Sequence, residues 1–187
     1  MDIPDSLECY WVEDGRLLAG EHPGPYDQLM ARENLSALLG LGIRTFVDLT
    51  EADEAIDPYD EALEEEATAL GVTATCTRFP IRDMHVPTRD GMREILDAIS
   101  RTIDAGSPVY VHCLGGIGRT GTVVGCWLAE RGLAGDGDEV FARLARLRER
   151  GGLPRRRSPE TSVQFQFVRE WIAQTGDARP GGRPVSS

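Results

Sequence analysis

Apolar and polar positions along this chain switch between two periods, and the switches mark out its elements. Residues 9–12 and 16–18, separated by Asp14-Gly15, read as a small hairpin. Leu29, Met30, Leu35, Leu38 and Leu39 recur at helical spacing between residues 27 and 41, and Gly40 and Gly42 stop that helix. The run IRTFVDL at residues 43–49 is a buried-strand candidate, and a helix over 59–70 ends at Gly71. Residues 72–79 alternate as a strand closed by Pro80. Met92, Ile95, Leu96, Ile99 and Ile103 then fall on one face of a helix predicted over 88–105. A short strand at 109–111 runs into a glycine-rich loop, and a helix follows over 118–130. Two further helices are expected at 138–150 and 159–175. Alternation of this kind predicts an α/β fold, with a mostly parallel central sheet and helices on both faces. Residues 1–176 are expected to form one domain, and 177–187, which lack apolar anchors, a disordered tail.

Composition narrows the class without deciding it. The chain has 187 residues, 41% hydrophobic and 27% charged, ordinary values for a globular protein. No apolar run approaches the ~20 residues of a spanning helix. The acidic start, MDIPDSLECYW, does not resemble a secretory signal, so a cytoplasmic location is expected. A net charge of -11 argues against nucleic-acid or stable membrane-surface partners. That charge is uneven: residues 51–66 are acidic throughout, read as a solvated helix and loop, whereas 143–157 are strongly basic. Every basic residue other than histidine is arginine, a bias that points to a high-GC, bacterial genome. The four cysteines, Cys9, Cys76, Cys113 and Cys126, show neither CxxC spacing nor paired histidines, so no metal site or disulfide framework is expected.

The segment VYVHCLGGIGRTG, residues 109–121, carries the chemistry. A strand delivers Cys113 to a loop holding Gly115, Gly116 and Gly118, and a helix begins behind it. A thiol is a poor nucleophile until it is ionised. Inward-turned loop amides, the positive end of the helix and Arg119 all favour a thiolate, and equally a bound phosphate dianion. The glycines permit positive φ and close backbone approach. Arg119, six residues after the cysteine, brings a planar guanidinium back over the hollow to hold two phosphate oxygens. Thr120 is placed to donate to the sulfur, and His112 to fix the cysteine through loop backbone. The bland alternative, a buried structural cysteine beside a glycine turn, requires all these residue types to coincide at fixed spacing by chance.

HCLGGIGRTG matches the HCxxGxxR(S/T)G signature of the protein-tyrosine phosphatase superfamily, and the likeness runs from about Cys9 to Trp171. Chain length and the short upstream spacing resemble the dual-specificity branch, most nearly its kinase-associated phosphatase group. The resemblance implies a cysteine-dependent phosphatase acting on phosphorylated proteins or peptides through a phosphocysteine, with no cofactor. It implies phosphate contacts from Leu114, Gly115, Gly116, Ile117, Gly118 and Arg119. It also implies a general-acid aspartate about 30 residues before the cysteine, which is Asp83 in FPIRDMHVP, with Asp90 in reserve. His85 lies close to it and is expected to pack locally. A glutamine-bearing segment after the loop is matched by SPETSVQFQFV, placing Gln164 in the substrate-binding set. The water-positioning glutamine of tyrosine-specific members is Glu160 here, read instead as a first-turn helix carboxylate. Arg155, Arg156 and Arg157 read either as a contact for a second phosphate or as a solvated loop. Some relatives protect the nucleophile with a disulfide, a role open to Cys76 or Cys126.

Three other functions compete. Phosphoinositide or inositol-phosphate phosphatases often place basic residues inside this loop, where the chain has Leu114, Gly116 and Ile117. A rhodanese-like sulfurtransferase would not need Arg119-Thr120, and a phosphosite-binding module would not need the full Cys, Arg and Asp set. Substrate identity and oligomeric state are not written in the sequence.

Overall fold

The computed structural model describes residue 3, residues 6–24 and residues 26–177; of the tail expected over 177–187, Asp177 instead ends a helix and the rest lies outside the described residues. The elements follow the predicted order: β1 (Cys9–Glu13), β2 (Leu17–Gly20), α1 (Gln28–Gly40), β3 (Thr45–Asp48), α2 (Asp60–Ala69), β4 (Thr75–Arg78), α3 (Arg89–Asp104), β5 (Val109–His112), α4 (Arg119–Glu130), α5 (Gly137–Arg150) and α6 (Ser162–Asp177). The sheet runs β1-β2-β5-β3-β4. Among the described residues only β1 and β2 pair antiparallel; the other three pairings are parallel, as βαβ connections require.

Strand parity divides the core. Leu17, Ala19, Val47, Val109 and Val111 face one cluster, together with the apolar sides of α3 to α6. Leu18, Phe46 and Tyr110, one residue out of step, face a second cluster with α1 and α2. Two helices therefore cover one face and four the other. All five apolar residues expected on one side of α3 are buried, each burial worth about 1.5–3 kcal/mol. Thr88 caps that helix, its side chain accepting from the Gly91 N–H. Helix α4 is buried from Arg119 to Ala129, because the sheet and its sister helices enclose it.

Three expectations change. Leu29 and Met30 belong to the apolar spacing of α1 yet are exposed, since only Ala31, Asn34, Leu35, Leu38 and Leu39 are buried on that helix. The strand expected over 72–79 shortens to β4, an edge strand with mostly exposed side chains. Helix α6 begins at Ser162, so Glu160 precedes its first turn.

Candidate active site

The parallel ladder sets the site. Gly20, His112, Asp48 and Arg78 lie in register across β2, β5, β3 and β4, at the carboxyl ends of the strands. Ligands of open α/β sheets bind at that end. The loop from Cys113 to Arg119 leaves β5 there.

Its shape follows from where its carbonyls go. Leu114 O accepts from His22 N–H at 2.9 Å, and Gly116 O accepts from Arg148 Nη1 at 3.0 Å. Ile117 O accepts from the Ser158 hydroxyl, and Gly118 O from the Thr122 hydroxyl, both at 2.8 Å. All four carbonyls are thus drawn to groups outside the loop. A trans peptide points its N–H opposite to its C=O, so the N–H groups of Gly115, Ile117, Gly118 and Arg119 turn toward the hollow. That is an anion cradle. Only Gly116 among these glycines has positive φ, at 64°, and a side chain there would meet the Gly20 backbone at 2.6 Å. Gly115 has open space around it, whereas a side chain at Gly118 would meet Gln164 Nε2 at 3.0 Å, so positive φ is used at one loop glycine and close approach at two.

Arg119 is 2% exposed at its side chain and holds two carboxylates. Its Nη1 and Nη2 form a forked pair with Glu54, the Nη2 contact being 3.0 Å. Nη2 also stands 3.1 Å from Asp83 Oδ1, and Nη1 donates to the Ile81 carbonyl at 3.1 Å. Burial alone would raise the Glu54 carboxyl; the Arg119 bonds and the Glu51 N–H overrule it and hold it below the usual carboxylate range. Asp83 is 61% exposed, a group open to solvent and substrate while touching Arg119. Glu54 lies in the acidic stretch expected to be solvated; at 14% exposure and fully engaged, it is not.

Behind the cysteine is a buried relay. His112 is fully buried, which lowers its basicity and keeps it neutral. A neutral imidazole has one donor and one acceptor nitrogen. With Nδ1 against the Cys113 carbonyl at 3.3 Å and Nε2 2.7 Å from the Tyr59 hydroxyl, Nδ1–H donates and Nε2 accepts. Tyr59 in turn lies 3.2 Å from Cys76 Sγ, and burial pushes that thiol up to about 11, so it is the donor. Asp48, fully buried next to His112 in the ladder, accepts from Thr50 N–H, the Thr50 hydroxyl and Arg78 Nε. Burial works against its charge; the adjacent His112 and then those bonds outweigh it and keep the carboxyl low. His112 thus bonds the carbonyl of Cys113 from behind the loop.

A family model described as Swiss Army Knife protein, DSP-PTPase phosphatase domain (PTP-SAK), matches residues 7–174. The chain belongs to that family. Among solved structures, this phosphatase domain is similar to Tk-PTP in the active form, at 26% identity, covering 89% of this chain and 97% of that one with a TM-score of 0.66. Kinase associated phosphatase (17% identity, 93% and 97% covered, TM-score 0.66) shares the fold. So does PTPMT1 in complex with PI(5)P (17%, 91% and 97%, 0.68). The chain spans about half the length of the curated relatives it matches first, two uncharacterized proteins of Methanocaldococcus jannaschii. They are 32% and 43% identical over 93 residues, half of this chain, and the matches cover 52% and 56% of those proteins.

Within the phosphatase domain, the remaining candidates take definite places. Asp83, not Asp90, reaches Arg119; Asp90 sits exposed in the first turn of α3. His85 is tied locally, its Nδ1 2.8 Å from the Asp83 carbonyl. Gln164 is fully buried: its Oε1 accepts from the N–H groups of Glu160 and Thr161, and its Nε2 donates to the His85 carbonyl at 3.1 Å. The Thr161 hydroxyl donates to Met84 O. Both residues pin the Asp83 segment to the start of α6, and that bond occupies one Gln164 N–H expected to face substrate. Thr120 has one hydroxyl proton and gives it to the Gly20 carbonyl at 3.3 Å, a bond it must exchange to reach the sulfur. Glu160 Oε2 comes within 3.2 Å of where a Gly118 side chain would start, beside the loop. All four cysteines are free thiols in this structure.

Four of these residues, Glu54, Tyr59, Asp48 and Arg148, carry the site without having been singled out by sequence reasoning. One signal was available for Glu54, which follows the carboxyl end of a predicted parallel strand, where such folds place their chemistry.

Proposed function

We propose that this phosphatase domain hydrolyses phosphotyrosine in proteins, and phosphoserine and phosphothreonine as well, through a phosphocysteine on Cys113. The observation that carries the reading is the 3.1 Å contact between Arg119 Nη2 and Asp83 Oδ1, with Arg119 immediately behind the loop of inward amides. One arginine then spans the place of the phosphate and the place of the departing oxygen.

In the first step Cys113 Sγ attacks phosphorus in line. The P–O ester bond breaks, its electron pair goes to the leaving oxygen, and Asp83 supplies that oxygen's proton. The loop amides hold the equatorial oxygens, joined by Arg119 once the substrate displaces Asp83 from its Nη2, as electrostatic stabilisation of a phosphoryl transfer requires. In the second step a water attacks phosphorus, the Asp83 carboxylate takes its proton, and Sγ leaves as thiolate. Thr120 assists once it turns from Gly20 to the sulfur.

Phosphoinositides are the second reading, favoured by the fold shared with a PI(5)P-bound structure. The uncharged loop positions Leu114, Gly116 and Ile117 favour a singly phosphorylated residue over a polyphosphorylated ring at the loop itself. Phosphate release from matched phosphotyrosine and phosphothreonine peptides and from phosphoinositide micelles decides between them. Peptide turnover that Cys113→Ser abolishes supports the protein reading; turnover of the lipids alone replaces it.

A further inference from the structure

The two edges of the sheet differ in how they are covered. At one edge β1 packs against α5, and a side chain at Gly151 would meet the Cys9 carbonyl at 3.3 Å. At the other edge is β4, whose outer side bonds to nothing among the described residues. Its inner side is set by β3: Thr75 N–H donates to Arg44 O at 2.9 Å, and Phe79 N–H to Asp48 O at 2.8 Å. In a parallel pair, alternate residues turn both backbone groups to the neighbouring strand. The N–H and C=O groups of Cys76 and Arg78 therefore point outward. Such groups are the means by which an extended peptide joins a sheet.

An acidic hollow lies on each face beside this edge. On the α3 side a cavity of about 530 Å³ is lined by Phe79, Glu94, Asp97, Ser100, Arg101 and Asp104. On the α2 side a cavity of about 400 Å³ takes in Asp60, Glu64, Ala74 and Cys76. All five carboxylates are exposed. The ion pairs of α2 and α3 are made elsewhere, Arg32 holding Glu65 and Glu66 and Arg93 holding Glu130. Arg101 is the one cation lining either hollow among the described residues, and its Nε turns to the Asp97 carbonyl at 3.3 Å. Arg78 is already paired with Asp48. A second copy of this chain would set these carboxylates against themselves, whereas a positively charged strand meets them on both faces. Successive side chains of a strand alternate between faces, so consecutive basic residues reach both hollows.

We propose that β4 is a docking edge for an extended, basic segment of the phosphoprotein substrate, which adds to the sheet as a further strand. Its role in choosing substrates rests on reading Cys113 to Arg119 as the hydrolytic loop. From its carboxyl end β4 runs on to Asp83, five residues past Arg78. Antiparallel addition is the more stable pairing. At ~3.3 Å per residue it places the basic run about five residues C-terminal to the phosphorylated residue.

The test begins with the full chain, labelled with ¹⁵N and titrated with an unphosphorylated peptide carrying a run of arginines as long as β4. The amide signals of Cys76 and Arg78 should shift, saturate and exchange more slowly with solvent as their N–H groups become bonded. The same peptide N-methylated along the run keeps its charge and loses its backbone donors, so it should bind about tenfold more weakly. Equal binding of the two peptides, or shifts that spare Cys76 and Arg78, would overturn the docking edge. Glu64→Gln, Asp97→Asn and Asp104→Asn together should weaken binding several-fold and leave turnover of p-nitrophenyl phosphate unchanged; unaltered affinity would remove the hollows from the proposal. With phosphotyrosine peptides, kcat/KM should rise about tenfold when the run follows the phosphotyrosine by about five residues, and not when it precedes it. Turnover with no gain, or with an equal gain from either side, overturns the substrate role and leaves the hydrolytic reading standing. Binding at β4 with no hydrolysis of any phosphopeptide does the reverse.

Discussion

Two buried arginines flank one loop, and their surroundings are opposite. Arg119 is saturated: Glu54, Asp83 and the Ile81 carbonyl take its donors. Arg148 has one acceptor, the Gly116 carbonyl, and two nitrogens without any. Arginine cannot escape burial by losing its proton, so each environment has a consequence. The saturated one is held in a fixed place beside the loop by Glu54, and a substrate phosphate gains its Nη2 only by displacing Asp83. The unsaturated one, shielded against the Tyr10 ring, ties the Gly116 carbonyl through a single bond. A group that can discharge makes the contrast plainer. His22, 3% exposed, meets burial by staying neutral: burial first, and then the neighbouring His112, push it down to about 3.

Substitutions around Arg119 should have the largest effects. Asp83→Ala removes the proton donor and should lower kcat by roughly 10²–10⁴-fold on phosphotyrosine peptides. The loss should shrink with p-nitrophenyl phosphate, whose leaving group hardly needs protonation; equal losses on both would remove Asp83 from that role. Arg119→Lys keeps the charge and loses the fork, and should cost on the order of 10²–10³ in kcat. Near-normal turnover in that variant would mean that the fork is not what matters.

Glu54→Gln is the next smaller change. It leaves Arg119 buried with a neutral partner, and urea unfolding should show a loss of about 1–3 kcal/mol. Added phosphate should then raise the melting temperature more in this variant than in the wild type, because the anion replaces the missing charge. An equal shift in both would show that Glu54 does not balance Arg119. The mildest effect concerns His22. Its folded form stays neutral down to about pH 3, whereas the unfolded chain takes up the proton near the ordinary value of 6.5. Stability from this group is therefore lost as pH falls below 6.5, with a slope approaching about 1.4 kcal/mol per pH unit. Unfolding measured at pH 7 and pH 5 should differ by about 2 kcal/mol less in His22→Gln than in the wild type. An unchanged difference would mean that His22 titrates alike in both states.

Legibility in the sequence follows the range of the contacts. The loop was readable because its chemistry is local: Cys113, the glycines and Arg119 fall within seven residues, between a strand and a helix. The face of α3 was readable because five apolar residues keep one period over about three turns. The partners of the two arginines were not. Glu54 lies 65 residues from Arg119, and Arg148 lies 32 from Gly116. Nothing in an acidic run or a basic run says which member turns inward. The exposure of Leu29 and Met30 has the same origin, since helical spacing names a face but not how much of the helix a neighbour covers. Gln164 shows the limit of resemblance: its amide joins Glu160, Thr161 and His85 rather than facing the loop alone.

The central claim is that Cys113 itself carries the phosphoryl group. Rapid mixing of the wild-type protein with p-nitrophenyl phosphate, acid quenching and peptide mass spectrometry would test it most directly. The account predicts a phosphate adduct on the peptide containing Cys113, formed with a burst of p-nitrophenol stoichiometric with the protein, and neither in Cys113→Ser. Turnover that persists in Cys113→Ser, or an adduct on another residue, would contradict it.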